Sequence, residues 1–182
     1  DIARDNSLLL HIDASFGGFI IPFLKNTRYS LPLYNFKFPG VTSISLDSHK
    51  MGSAPIPSSC ILFRNKNLIN NIKTNVGYLS GGSEPRPTLL GTSPGASIIT
   101  LWTLLNLHGQ LGYRKIALRC MENTNYLFDE LLKIHDISVI NKPVLNIVGF
   151  KINSNHNLIV KDLRQKGWSI SIFPTHIRFV LM

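Results

Sequence analysis

Residues 41–52 decide the fold, and they read VTSISLDSHKMG. The first six residues have the composition of a β-strand. The strand ends in the run Asp47-Ser48-His49-Lys50, so Lys50 lies on the loop just beyond it. In α/β sheets, ligands usually bind beyond the carboxyl ends of the strands. The sequence therefore places an amine where a ligand is expected.

A second strand-like stretch, residues 7–10, leads into His11-Ile12-Asp13-Ala14-Ser15. An Asp and a Lys at the ends of two successive strands are what a pyridoxal phosphate enzyme needs. The amine of Lys50 would form a Schiff base with the aldehyde of the cofactor. The carboxylate of Asp13 would keep the pyridine nitrogen protonated, so that the ring can accept electrons.

Together with residues 54–59 (APIPSS) and 88–92 (TLLGT), these two runs closely resemble the group II pyridoxal-dependent amino-acid decarboxylases. Within that group the archaeal tyrosine/aspartate decarboxylases are the most similar, and the resemblance extends from Leu8 to Met182. It implies decarboxylation of an L-amino acid such as tyrosine, aspartate or glutamate. Sphingosine-phosphate lyases share the architecture, so a carbon–carbon lyase is an alternative. An inactive fragment that acts only as an interaction partner is another, although intact Asp13 and Lys50 argue against it.

The resemblance implies an α/β protein with the fold-type I transferase fold of pyridoxal phosphate enzymes. We expect residues 1–136 to form the C-terminal part of the large cofactor-binding domain, and residues 137–182 to form a small, truncated α+β domain. Composition predicts a loop over 77–94 and a nearly apolar, hence buried, helix over 96–107. We expect Gly109 and Gly112 to break that helix before a longer one over 113–134.

The chain opens only a few residues before its first predicted strand and stops inside its last one, which is unusual for an autonomous domain. The resemblance implies a missing N-terminal half that supplies a phosphate-binding turn and a residue stacked on the cofactor. It also implies a homodimer with a shared active site, because the family's loop around Thr92 reaches the cofactor of the partner subunit. An ordinary helix cap is the alternative role for Thr92. Relatives usually carry Arg where this chain has Ser93.

The predicted catalytic residues are Lys50, Asp13 and His49. The resemblance also places four other side chains at the cofactor: His11, Ser15, Ser48 and Thr92. For His11, a hydrogen-bonded core imidazole is an equally good interpretation. Ser15 stands where relatives place a small residue under the ring, and relatives often have Pro where this chain has Ser48.

Arg178 is the predicted substrate-binding residue, because relatives use an Arg at this place to bind the α-carboxylate of the substrate. The guanidinium suits a carboxylate because it donates two parallel hydrogen bonds. An internal ion pair is the alternative, since an Arg in an otherwise apolar strand needs a partner.

The composition limits the possible partners. The 182 residues carry a formal net charge of +9, which attracts anions such as a phosphate cofactor, but no Lys/Arg block long enough for a nucleic-acid arm occurs. Cys60 and Cys120 have neither disulfide nor metal spacing, which suits a reducing compartment. We find no signal peptide and no apolar run long enough for a bilayer. We therefore expect a cytoplasmic enzyme without a metal, a membrane or a nucleic-acid partner.

Overall fold

The computed structural model describes residues 1–29, 31, 34–78, 84–88, 93–154 and 156–182. These residues form two compact units, Asp1–Gln110 and Leu111–Met182. The helices are α1 (Ile2–Asp5), α2 (Gly95–Leu131) and α3 (His156–Gln165), with 3-10 helices at Gly17–Phe19, Ile21–Leu24 and Lys66–Ile72. The strands are β1 (Leu10–Asp13), β2 (Val41–Asp47), β3 (Ser59–Phe63), β4 (Thr74–Val76), β5 (Glu84–Arg86), β6 (Ile137–Val139), β7 (Ile147–Ile152), β8 (Ser171–Ile172) and β9 (Ile177–Val180).

A three-stranded sheet of order β1-β2-β3 forms the centre of the first unit. Strands β1 and β2 are parallel, with Asp13 opposite Ser45, while β3 returns antiparallel to β2. Strand β2 confirms the strand predicted at the start of residues 41–52, whereas β1 begins only at Leu10, so most of the strand-like stretch 7–10 precedes it. Because β1 and β2 are parallel, their carboxyl ends, Asp13 and Asp47, meet at one edge of the sheet.

One face of this sheet is apolar, and it holds the core of the unit. Ala14, Val41 and Ile44 are buried there, with Ile12 and Phe36 packed against them. The chain crosses this face closely after β1, since a Cβ added to Gly18 would lie 2.7 Å from the Cβ of Leu46. The opposite face carries the polar side chains of β1 and β2, because successive side chains of a strand alternate between faces.

Part of the expected loop over 77–94 forms regular structure. Residues Glu84–Arg86 form β5, which pairs antiparallel with β4. Each strand has three residues, and one of them is Pro85, which is confined to edge strands because it lacks an N–H. Strands this short have no periodicity for a sequence pattern to detect. Residues 79–83 and 89–92 lie outside the described part of the chain.

Helix α2 differs from the expectation in two respects. Gly109 has φ 53° and ψ −166°, which kinks the helix as predicted, but Gly112 lies within the helix and does not break it. The expected burial of residues 96–107 is wrong. Ile98 is 70% exposed and Trp102 is 66% exposed. Apolar composition predicts burial only where a packing partner covers each face, and the described residues do not cover this one.

The second unit contains the end of α2, helix α3 and a small antiparallel sheet. Its four strands are antiparallel in the order β6-β7-β9-β8, and the sequence did not predict β6. The core consists of Leu131, Val148, Phe150, Val160, Ile170 and Ile177. The division between the two units falls inside α2. The expected domain boundary between residues 136 and 137 stays a prediction.

Candidate active site

Lys50 lies in a tight turn that follows β2 and is held by the backbone. The N–H of Lys50 donates to the carbonyl of Asp47 (3.1 Å), and the N–H of Ala54 donates to the carbonyl of Ser48 (2.9 Å). Gly52 is needed in this turn, since an added Cβ would lie 2.7 Å from the carbonyl oxygen of Ser48. The turn therefore fixes the lysine just beyond the end of β2.

The amine of Lys50 contacts Asp47 and the ring of Phe16. Its Nζ lies 2.7 Å from Oδ2 of Asp47, in an ion pair whose Lys50 side chain is 29% exposed. The same Nζ lies 4.5 Å from the centroid of the Phe16 ring, within the range of a cation–π contact. Both contacts orient a flexible side chain that would otherwise sample many rotamers.

Asp47 is held ionised by these neighbours. Burial by itself would raise the pKa of Asp47, but hydrogen bonds from Lys50 and Ser59 and the charges of Lys50 and His49 lower it below its ordinary value of 3.8. The carboxylate is therefore ionised at neutral pH and keeps Lys50 in place.

Asp13, at the end of β1, is an exposed carboxylate with several donors. Its Oδ1 accepts from the N–H of Ser15 (2.9 Å) and from the hydroxyl of Ser45 (3.2 Å). The backbone bond from Ser15 is the main cause that lowers the pKa of Asp13 below 3.8, and the hydroxyls of Ser15 and Ser45 and the charge of Lys50 act in the same direction. Asp13 is thus an anion in the electrostatic field of Lys50, at the same edge of the sheet.

Ser48 and His49, the two residues before Lys50, connect the turn to Ser58, which directly precedes β3. The buried hydroxyl of Ser48 donates to the carbonyl of Ser58 (3.0 Å) and also contacts the Ser58 hydroxyl. The Nδ1 of His49 lies 2.8 Å from the same carbonyl oxygen, and its Nε2 lies 4.0 Å from Oδ2 of Asp47. His49 therefore has one ring nitrogen on the backbone and the other toward the ion pair.

His11 lies on the polar face of the sheet, two residues before Asp13 on the same strand. Its Nδ1 is 2.8 Å from the hydroxyl of Ser43, and its Nε2 is 3.3 Å from the hydroxyl of Ser45. The ring is exposed, so the interpretation of His11 as a core imidazole is wrong for this chain. The sheet brings His11, Asp13 and Ser45 into one hydrogen-bonded group.

The remaining two predicted site residues are Thr92 and Arg178. Thr92 falls outside the described residues, and its predicted role stays a prediction. Arg178 lies on β9 in the second unit. Its guanidinium carbon is 4.9 Å from the centroid of the Phe173 ring, and its buried Nε has no hydrogen-bond partner among the described residues. The alternative of an internal ion pair therefore lacks support in the described part of the chain.

Sequence reasoning gave no role to three residues that contact the site: Asp47, Phe16 and Ser45. Asp47 could have been found, because its i, i+3 spacing to Lys50 in a turn brings the two charges together. Ser45 could have been found from the alternation of Ser43 and Ser45 along β2, which places both hydroxyls beside β1. Nothing in the sequence places the ring of Phe16 against Lys50.

Neither a metal centre nor a membrane span occurs in the described part of the chain. The described residues contain no group of three or more His, Cys, Asp and Glu side chains that could hold a metal ion. No helix formed by those same residues is both long and apolar enough to cross a bilayer.

The architecture is that of the fold-type I pyridoxal phosphate enzymes. The whole chain superimposes with a TM-score of 0.87 on 42% of sphingosine-1-phosphate lyase from Burkholderia pseudomallei, at 26% sequence identity. A sequence model of the pyridoxal-dependent decarboxylase conserved domain matches residues 1–153. The chain therefore belongs to the pyridoxal-dependent decarboxylase family. This membership confirms the predicted family, fold class and cofactor.

Two archaeal relatives match along the entire chain. The L-aspartate/L-glutamate decarboxylase of Pyrococcus horikoshii is 43% identical over 182 residues, which are 47% of its length. A probable L-tyrosine/L-aspartate decarboxylase of Methanothermobacter thermautotrophicus is 44% identical over 189 residues, with 50% of its length covered. The chain thus spans about half the length of the curated relatives it matches.

The residues present at the sheet edge fit pyridoxal phosphate. A partly exposed amine, Lys50, can reach an aldehyde carbon, and an ionised carboxylate, Asp13, can accept a hydrogen bond from a protonated ring nitrogen. Asp13 ends β1 and Lys50 follows β2, so both side chains lie at the carboxyl ends of neighbouring parallel strands.

Proposed function

We propose that this chain is the C-terminal part of an enzyme that decarboxylates an L-amino acid with pyridoxal phosphate. The observation that carries the proposal is the placement of Lys50 and Asp13 at the same edge of the parallel β1–β2 pair, with Asp13 at the end of β1 and Lys50 in the turn that follows β2. The names of the archaeal relatives support decarboxylation and indicate an acidic or aromatic substrate.

Each residue has a separate task in this proposal. Lys50 holds the cofactor through its amine and yields that position to the amino group of the substrate. Asp13 keeps a proton on the ring nitrogen. When bound, pyridoxal phosphate supplies the electron-accepting ring that stabilises the charge left on the α-carbon as carbon dioxide departs. His49 lies next to Lys50 and is proposed to face the cofactor or the substrate.

The remaining predicted contacts complete the site. Ser15 leaves room beneath the cofactor ring, and Ser48 holds the turn that carries Lys50 through its buried hydroxyl. Arg178 binds the α-carboxylate of the substrate, and this role is supported by its buried Nε, which has no hydrogen-bond partner among the described residues. Thr92 contacts the phosphate in the partner subunit of a homodimer. A preceding N-terminal half supplies the rest of the pocket, and this part of the proposal is supported by the chain covering only 47% of the length of a matched relative.

We place the enzyme in the cytoplasm, because both cysteines, Cys60 and Cys120, are free thiols.

The second candidate function is that of a carbon–carbon lyase acting on a phosphorylated amino alcohol. The similarity to sphingosine-1-phosphate lyase favours it. Such a substrate has no α-carboxylate, so the role of Arg178 distinguishes the two functions.

The test is a decarboxylation panel on the full-length enzyme with tyrosine, aspartate and glutamate. We expect carbon dioxide release from at least one of them, loss of that release in Lys50→Ala, and a raised KM in Arg178→Lys, because Lys cannot form the bidentate contact. Release of an aldehyde from a phosphorylated amino alcohol, with no carbon dioxide from any amino acid, would establish the lyase function instead.

A further inference from the structure

We propose that Ser45 is a positioning residue for Asp13, and that His11 acts on Asp13 only through Ser45. The inference rests on the proposed function, because it concerns the carboxylate assigned to the ring nitrogen of the cofactor. It gives Ser45 a role in the site, and it gives His11 a role that requires no contact with the cofactor.

The distances form an unbroken series along the polar face of the sheet. The hydroxyl of Ser43 is 2.8 Å from Nδ1 of His11, Nε2 of His11 is 3.3 Å from the hydroxyl of Ser45, and that hydroxyl is 3.2 Å from Oδ1 of Asp13. The parallel register explains the series, since His11 lies opposite Ser43 and Asp13 lies opposite Ser45. We call this set the Ser43–Asp13 series.

The direction of each hydrogen bond follows from the charge of Asp13. An ionised carboxylate only accepts, so Ser45 must donate its single hydroxyl proton to Asp13. Ser45 can then only accept from His11, and Nε2 of His11 must carry the proton. In the neutral ring Nδ1 is then an acceptor, and it accepts from the hydroxyl of Ser43. Every bond therefore donates toward Asp13.

This directionality has two consequences for the carboxylate. Oδ1 of Asp13 accepts two hydrogen bonds. One comes from the hydroxyl of Ser45 on the neighbouring strand β2, and the other comes from the N–H of Ser15, two residues further along the chain. The hydrogen bond from His11 polarises the hydroxyl of Ser45, which strengthens its bond to Asp13. The series therefore holds Asp13 ionised and oriented before the cofactor arrives.

The first experiment determines which ring nitrogen of His11 carries the proton, and it requires no measurement of enzyme activity. Nitrogen-15 NMR of histidine-labelled, cofactor-free full-length enzyme, assigned with His11→Ala, should show His11 as the Nε2–H tautomer. The Nδ1–H tautomer would overturn the proposed direction, because Ser45 would then have to donate to His11 instead of Asp13.

The second experiment is a double-mutant cycle on the full-length holoenzyme. Ser45→Ala should lower kcat about tenfold with little change in the KM of the amino acid, which is the loss expected for one hydrogen bond to a charged group. Ser45→Thr should restore kcat, since it keeps the hydroxyl. His11→Ala should lower kcat in the parent enzyme but have no further effect in Ser45→Ala. Ser138→Ala, on a strand of the second unit, is the matched control and should leave kcat unchanged.

The outcomes separate this inference from the proposed function. Asp13→Asn tests the proposed function, and near-normal turnover in that variant would refute it. If Asp13→Asn loses activity but Ser45→Ala does not, or if the His11 effect is the same in both backgrounds, the Ser43–Asp13 series has no role. An equal effect in both backgrounds would mean that His11 contacts the cofactor or the substrate directly.

Discussion

At the residue scale, the site consists of oppositely charged side chains that stabilise one another. Lys50 is paired with Asp47, and its charge also lowers the pKa of Asp13, so one cation stabilises two carboxylates. This arrangement keeps the amine at the strand end without burying an unpaired charge, which would be costly. Asp47 is therefore as much part of the site as the residues that the sequence identified.

The ion pair predicts a pH dependence of stability in the cofactor-free, full-length protein. The pKa of Asp47 is lowered in the folded state, so the stabilisation is complete above the ordinary value of 3.8 and is lost as the pH falls below it. Asp47→Asn should reduce the free energy of unfolding by about 1 kcal/mol at pH 7. Denaturant titrations of both proteins between pH 2 and 7 should show this difference shrink toward acid pH. A difference that stays constant over the range would contradict the ion pair.

At the element scale, the tight turn after β2 determines where the amine lies. Because the Ser48 backbone leaves no room for a side chain at Gly52, the chain can make this turn only with glycine at that position. The turn is also hydrogen-bonded to Ser58, just before β3, so β2, the turn and β3 together fix the position of Lys50.

Gly52→Ala should therefore shift the turn and lower cofactor loading at least severalfold, because the added Cβ would lie 2.7 Å from a backbone oxygen. Loading is measured from cofactor absorbance per protomer after gel filtration. Gly77→Ala is the matched control, since a Cβ there would meet no atom of the described residues within 4 Å. Equal loading in the two variants would show that the turn tolerates a side chain.

The β8–β9 hairpin predicts an effect on substrate binding. The guanidinium of Arg178 and the imidazole of His176 both contact the ring of Phe173, at 4.9 Å and 4.7 Å. Phe173→Leu should raise the KM of the amino acid about two- to fivefold with kcat nearly unchanged, because a cation–π contact that orients Arg178 is lost. Phe173→Tyr should restore the KM. An unchanged KM in Phe173→Leu would show that the ring does not position Arg178.

The sequence predicted the parts of the fold that local pattern determines. Strand β2 and the loop position of Lys50 follow from residues 41–52, and the strand-like stretch before Asp13 indicates β1, although β1 begins only at Leu10. Contacts between side chains distant in sequence could not be predicted, and the ring of Phe16 against Lys50 and the hydroxyl of Ser45 on Asp13 are of this kind. The exposed face of α2 was also missed, since apolar composition does not reveal what covers a helix.

At the scale of the whole molecule, the described residues leave large apolar side chains exposed on α2, among them Ile98, Ile99 and Trp102. Large exposed apolar patches favour association with other surfaces. The proposed N-terminal half and the proposed partner subunit would also complete a site of which this chain holds only part.

The 182-residue chain expressed alone should therefore be poorly soluble and should bind pyridoxal phosphate weakly. Adding the preceding half, in cis or in trans, should give a dimer with visible cofactor absorption. Analytical ultracentrifugation with detection at the cofactor wavelength measures both properties at once. A soluble, monomeric and active 182-residue chain would show that the proposed half and partner are not required.

The central claim is that Lys50 carries the cofactor, and borohydride reduction of the full-length holoenzyme tests it most directly. Reduction fixes the cofactor on the lysine that holds it, and peptide mass mapping then locates the pyridoxyl group. We expect the label on Lys50, whose amine lies just beyond the end of β2 and is paired with Asp47. Lys66 and Lys73 should stay unmodified and serve as internal controls. A label on another lysine, with Lys50 unmodified, would show that Lys50 does not carry the cofactor.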